Sequence, residues 1–312
     1  LHVDNSAGDV HDSDDSAHEC PVQTPFDGYS AGEPAAAAAI FAAMDRTVIA
    51  PHGPIAYADL GPHAGVPLVL VHGFPHDRGV WRAQREAVDG ALEGVRLLLP
   101  DLPGFGHSAP VPAPSMDAFA DAVVAVLDHA GIERAVVGGL SMGGYVAFAL
   151  WRRHPDRVRA LVLCDTRAGA DTDAAREKRR ALATTARTDG PGAVAAAQLP
   201  GQLGRTTRSS APHLVDEVEQ MLRRASVAAI TDALDAMMAR PDSTDTLATI
   251  TVPTLVIVGD EDVVTPVDEA RTMAALIPSS RLVVVDGAGH LAPLEQPVTV
   301  NAAIAEFLSV RS

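Results

Sequence analysis

The segment "RAVVGGLSMGG" (residues 134–144) sets Ser141 after an apolar run, with Gly139 two positions before it and Gly143 and Gly144 two and three after it. A serine there suits neither a core nor an ordinary turn. The spacing fits a tight passage from a buried strand into a helix. In such a turn the central residue takes strained backbone geometry, and side chains two positions away would strike the neighbouring strand and helix. The hydroxyl is pushed above the sheet edge, at a helix start whose N–H groups favour developing negative charge. The chemistry this suits is nucleophilic attack. The alternative reading is a helix N-cap beside a glycine turn.

A hydroxyl is a weak nucleophile and needs a base that is itself oriented. Among twelve histidines, His290 follows the last strand-like run in "VVVDGAGHLAPLEQP", on a small-residue loop able to return over the sheet. His72 in "LVHGFP" reads as structural, His107 in "DLPGFGHS" as loop packing or a pocket wall, and His154 in "RRHPDR" as solvent-facing. The orienting acid comes from "VIVGDEDVVTP", where the turn after Gly259 favours Asp262 over Asp260. Asp165, after "ALVLC", is a rival at another strand end. Two N–H donors would receive an oxyanion: the backbone of Met142, just after the serine, and that of Phe74, in the loop after "PLVLVHG". His76, Trp81 and Tyr145 are candidates to line a substrate pocket, as is Met221, and each serves equally well as packing.

The elements that must carry these groups alternate regularly. "TVIA" and "IAYADLG" read as a hairpin around "PHGP". Apolar runs at 66–73, 95–101, 134–141, 158–166, 252–260 and 280–287 read as strands buried on both faces. Helical patterns lie between them in "WRAQREAV", "MDAFADAVVAVLDHAG" and "YVAFALWRRH", and "PVTVNAAIAEFLSV" follows the last. This predicts an α/β fold with a mostly parallel, doubly wound sheet. Residues 167–245 break the rhythm with helical stretches only, interrupted at "TDGPGA" and "QLPGQLG". They predict an inserted helical cap over the carboxyl ends of the strands, where ligands bind in such sheets. The expected division is an extension at 1–44, a core at 45–166 and 246–312, and a cap at 167–245.

Composition bounds the rest. Of the net charge of −16, nine acids fall in residues 1–45, which hold no Lys or Arg. That polar, acidic stretch reads as disordered, with a short helix at "AAAAAIFAAM" and with His2, His11 and His18 as solvated tail residues. The acidity argues against nucleic acid as a partner. No run approaches the ~20 apolar residues that cross a bilayer, and the acidic start lacks a secretory n-region, so a cytoplasmic location without a membrane partner is expected. Cys20 and Cys164 suggest no disulfide framework. No metal-ligand cluster and no G-x-G-x-x-G is present, and "GFG" at 104–106 reads as a loop, so no cofactor and no metal is expected.

Taken together, "HGFP", "DLPGFGHS", "GLSMGGY", "HPDRVRALVLCDT", "GDEDVVTP" and "GAGHLAPLEQP" resemble the α/β-hydrolase superfamily in order and spacing over about residues 45–310. The resemblance implies Ser141 as nucleophile, His290 as base and Asp262 as acid. "GLSMGG" followed by "RVRALVLCDTRAGADT" is most similar to the branch of 3-oxoadipate enol-lactonases and small carboxylesterases. Haloalkane dehalogenases and epoxide hydrolases need a carboxylate where Ser141 stands. The expected activity is hydrolysis of small carboxylic esters or lactones through an acyl-enzyme. A cofactor-free perhydrolase, a carbon–carbon bond hydrolase and a non-catalytic ligand-binding relative are the alternatives.

Overall fold

The computed structural model of this protein describes residues 45–50 and 53–309. The readings of residues 1–44, and of Cys20, His2, His11 and His18 within them, lie outside the described residues. Eight strands form one sheet in the order β1-β2-β4-β3-β5-β6-β7-β8. They are β1 (Asp45–Ala50), β2 (Gly53–Leu60), β3 (Val66–Val71), β4 (Val95–Pro100), β5 (Ala135–Leu140), β6 (Val158–Cys164), β7 (Thr254–Gly259) and β8 (Ser280–Val285). The β1–β2 and β2–β4 pairs are antiparallel, and every later pairing is parallel.

The apolar runs are continuous because the central strands bury both faces. Along β3, Val69 and Val71 join one apolar cluster while Leu68 and Leu70 join the other. The first cluster lies under α2 (Met116–His129), α3 (Met142–Arg153) and α9 (Val267–Leu276). The second lies under α11 (Pro297–Ser309) and the stretch 78–86, where a 3₁₀ turn (Arg78–Trp81) leads into the short α1 (Arg82–Glu86). β8 departs from the expectation of two-face burial. It is an edge strand, and Val284 is exposed. Helix α9 is not among the helical patterns read from the sequence; "VDEARTMAAL" is too short and too polar to announce itself, and it packs on the sheet through Ala270 and Met273.

Between β6 and β7 the chain is helical: α4 (Asp173–Gln202), α5 (Arg205–Ser210), α6 (Pro212–Arg223), α7 (Val227–Ala239) and α8 (Thr244–Leu247). The two expected interruptions have different outcomes. Gly190 kinks α4 with φ 80° and ψ 178°, whereas Pro200 is carried inside its last turn. Helices α6 and α7 pack on α4.

Where this segment leaves β6, Asp171 is buried among three guanidinium groups. Arg167 Nη2 lies 3.0 Å from Oδ1, Arg179 Nε 2.5 Å from Oδ2 and Arg240 Nη1 2.8 Å from Oδ1. Burial pushes this carboxyl up, but the Arg179 and Arg240 contacts outweigh it and hold the pKa at about 2. Removing the shared anion leaves three buried or half-buried cations without their partner. Asp171→Ala is therefore expected to cost about 3–5 kcal/mol, read as a lowered melting temperature. The folded pKa lies below the unfolded one, so this stability is present above about pH 4 and is lost as pH falls towards 2. An acid melt of Asp171→Ala should lack that part of the decline.

Candidate active site

The carboxyl ends of β5, β7 and β8 bring the candidate groups together. Ser141 follows β5 and precedes α3 with φ 52° and ψ −110°, a left-handed conformation that side chains rarely adopt. Neighbours hold it there. Its N–H donates to Cys164 O at 2.9 Å, and its carbonyl accepts from Gly144 N at 2.9 Å and Thr166 Oγ1 at 2.7 Å. The glycines around it are close-approach positions. A Cβ on Gly139 would stand 2.2 Å from the carbonyl carbon and oxygen of Gly143, and one on Gly143 would stand 2.2 Å from Val71 O. Backbone atoms cannot give way as a side chain can. Gly139→Ala is expected to cost about 3 kcal/mol or more, and a thermal melt together with recovered soluble protein would measure it.

His290 Nε2 lies 2.9 Å from Ser141 Oγ, and His290 Nδ1 lies 2.9 Å from Asp262 Oδ2. Asp262 is fixed in turn. Its Oδ1 accepts from Val264 N at 2.7 Å and Thr265 N at 2.9 Å, and its Oδ2 accepts from Thr265 Oγ1 at 2.6 Å. Burial raises the Asp262 carboxyl, but the adjacent His290 and the Thr265 hydrogen bonds outweigh it, so its pKa falls below the ordinary value. An ionised carboxylate can only accept. The imidazole then carries its proton on Nδ1 and presents a bare Nε2 to the serine hydroxyl, the protonation state a general base requires.

The other acids take different places. Asp260 Oδ1 accepts from Gly287 N at 2.8 Å, tying the β7 loop to the β8 loop. Asp165 is fully buried with φ 45°, and its oxygens accept from Gly259 N at 2.9 Å and Ala292 N at 3.2 Å. Burial, and then the nearby Asp262, raise its pKa well above the ordinary carboxylate value.

The loop carrying Phe74 lies against the serine: a Cβ on Gly73 would stand 3.2 Å from Ser141 Cβ. His72 is buried and anchors this loop, donating from Nδ1 to Gly73 O at 2.9 Å and accepting at Nε2 from Leu102 N at 2.9 Å. Met142 opens α3, and the N–H of a first-turn residue has no partner inside the helix.

The candidate pocket residues are all buried. Trp81 is fully enclosed in the apolar cluster that holds Val218, Met221 and Leu222. Tyr145 lies under the Arg240 guanidinium, 4.0 Å from ring centroid to Cζ. His76 Nε2 donates to Gln202 Oε1 at 2.8 Å, and burial lowers its pKa to about 4. Two histidines differ from the sequence reading. His107 is exposed beside Asp101 rather than a pocket wall, and His154 is half-buried with Nε2 2.8 Å from Asp121 Oδ1. The sequence reading did not single out Thr265, Gln202 or Glu295. Of these, only Thr265 leaves a local trace, since Asp-x-x-Thr is a common turn pattern.

No group of three metal-ligating side chains occurs among the described residues, and no helix there is long and apolar enough to cross a membrane. The alpha/beta hydrolase fold family matches residues 66–297. An esterase from Thermogutta terrifontis is 42% identical, with a TM-score of 0.79 over 85% of this chain and 98% of that one. The enol-lactonase from Burkholderia xenovorans LB400 is 26% identical, with a TM-score of 0.77 over 85% of this chain and 100% of its own. A 2-hydroxymuconate semialdehyde hydrolase of Pseudomonas sp. (strain CF600) is 41% identical over 102 residues, 32% of this chain and 36% of that protein. The first two curated relatives are matched over 36% and 65% of their own length. With the family match running from β3 to the start of the last helix, this chain belongs to the alpha/beta hydrolase fold family.

Proposed function

We propose that this protein is a serine hydrolase of small carboxylic esters or lactones. The observation that carries the reading is the continuous relay from Ser141 Oγ through His290 to Asp262, with both hydrogen bonds at 2.9 Å. Ser141 Oγ attacks the substrate carbonyl as His290 Nε2 takes its proton. Asp262 holds the ring and stabilises the imidazolium that forms. The N–H groups of Phe74 and Met142 receive the oxyanion. His290 then passes its proton to the departing alkoxide, which in a lactone stays tethered to the acyl group. Water, activated by the same imidazole, releases the acid and restores the serine. Atoms and protons balance with water as the only co-reactant.

The named activities of two similar structures, an esterase and an enol-lactonase, support the ester or lactone class. Trp81 and Tyr145 serve as packing in this reading. His76 stands two residues beyond Phe74 and bridges to Gln202, and it is the candidate pocket residue that this reading retains. A second reading, carbon–carbon bond hydrolysis, draws on the 41% identity to the 2-hydroxymuconate semialdehyde hydrolase over 102 residues. One panel separates them: p-nitrophenyl esters of increasing acyl length, lactones of increasing ring size, a ring-cleavage dienoate, and peracid formation from acetate and peroxide. Turnover of esters or lactones well above the other two is the expected result. Preferred dienoate cleavage or peracid formation would displace it.

A further inference from the structure

The junction between α4 and α5 touches three of the loops that carry candidate groups, those of Phe74, Asp262 and His290. Gln202, at the end of α4, accepts from His76, two residues beyond Phe74. Thr206 donates its N–H and its hydroxyl to Glu261, each at 2.8 Å, and Glu261 immediately precedes Asp262. Gly204 lies directly on the histidine loop, since a Cβ on Gly289 would stand 2.2 Å from Gly204 N.

Glu295, the last residue of the short helix α10 (Ala292–Glu295), ties these contacts together. Its Oε2 accepts from Gly204 N at 2.8 Å. Its Oε1 accepts from Gly289 N at 2.8 Å and Leu291 N at 3.1 Å, the peptide N–H groups immediately before and after that of His290. Thr207 donates a further hydrogen bond. All four partners are donors, and a carboxylate is the one side-chain group that offers only acceptors to all of them. Asp165 supports the same loop from the sheet side through Ala292 N. The arrangement here brackets His290 and joins that bracket to the cap.

We propose that Glu295 is a positioning residue: one carboxylate fastens the 202–207 junction to the backbone on both sides of His290 and so sets where the imidazole stands over Ser141. This rests on the serine hydrolase reading of the site. Since a misplacement of about 1 Å can cost about 10²-fold in rate, the expected effect falls on turnover rather than on binding.

Glu295→Gln keeps the shape but must turn an amide N–H₂ towards at least one donor. Gly204→Ala disturbs the same junction from the other side, because its Cβ would stand 2.8 Å from Gly289 N. Both variants would be assayed with p-nitrophenyl acetate and with a fluorophosphonate probe, with rates expressed per folded molecule from a melt. The expected result for each is a kcat lower by about 10- to 100-fold, KM within about twofold of wild type, and phosphonylation slowed in parallel. If Glu295→Gln does not fold, Gly204→Ala decides alone. Lowered melting temperatures with kcat per folded molecule within about twofold of wild type would overturn the proposal. A wild type that the probe does not label would remove the hydrolase reading itself, a failure distinct from labelled wild type with unaffected variants.

Discussion

Ser141→Ala is expected to abolish turnover of the best ester or lactone substrate, by about 10⁶-fold in kcat, while leaving the melting temperature within about a degree of wild type. The first part follows from geometry. His290 Nε2 has Ser141 Oγ at 2.9 Å, and without that oxygen the imidazole has no nucleophile to deprotonate. The second part follows because the strained backbone at 141 is held by contacts that do not involve the side chain: Cys164 O, Gly144 N and Thr166 Oγ1 all bond the main chain of Ser141. Alanine meets the same positive φ and pays a similar strain. Steady-state kinetics beside a thermal melt would check both halves. Residual activity within about 100-fold of wild type would mean that another nucleophile carries the reaction.

Asp262→Asn is the second large effect, with kcat expected to fall by about 10⁴-fold and KM little changed. The asparagine oxygen can stay where Oδ1 is, accepting from Val264 N and Thr265 N. Its amide N–H₂ then faces His290 Nδ1 and Thr265 Oγ1. Nδ1 becomes the acceptor, the ring proton moves to Nε2, and Nε2 can no longer take a proton from Ser141. A loss smaller than about tenfold would shift the orienting role elsewhere, and Asp165→Asn would be the next variant to make. The substitution has a signature in stability too. Asp262 has a lowered carboxyl pKa, so in wild type it contributes stability above the ordinary carboxylate pKa that is lost as pH falls through its folded value. The asparagine variant should lose that component of the acid melt.

Ser141 and His290 were legible in the sequence for a local reason. Close backbone approach forces glycine at 139 and 143, and it leaves the serine conspicuous between a β-branched strand and a small-residue helix. His290 stands out because its loop is built of small residues that pack on Gly259 and Gly204. The sheet was readable for a similar reason, since its central strands need apolar side chains on both faces. The edge strand β8 shows the limit of that signal: the same valine-rich run occurs although Val284 faces outwards.

What could not be read is long-range. Glu295 meets Gly204 across 91 residues, His76 meets Gln202 across 126, and Asp171 meets Arg240 across 69. No periodicity records such pairs. The choice among Asp260, Asp262 and Asp165 is partly local: all three sit at carboxyl strand ends, and the turn after Gly259 favours Asp262. The packing of the β7 loop against Ala288 and Gly289, which no local pattern records, brings that carboxylate to the imidazole. Trp81 and Tyr145 illustrate a further limit, because an aromatic residue near a motif can face a pocket or a core with equal ease. Here one is enclosed beside leucines of α6 and the other lies under a guanidinium.

The most direct test of the central claim is the intact mass of the protein after exposure to a fluorophosphonate, with peptide mapping of the adduct. One added phosphonyl group per chain is expected, located on Ser141 and absent from both Ser141→Ala and heat-unfolded protein. A native, folded wild type that stays unmodified, or that carries the adduct on another residue, would contradict it.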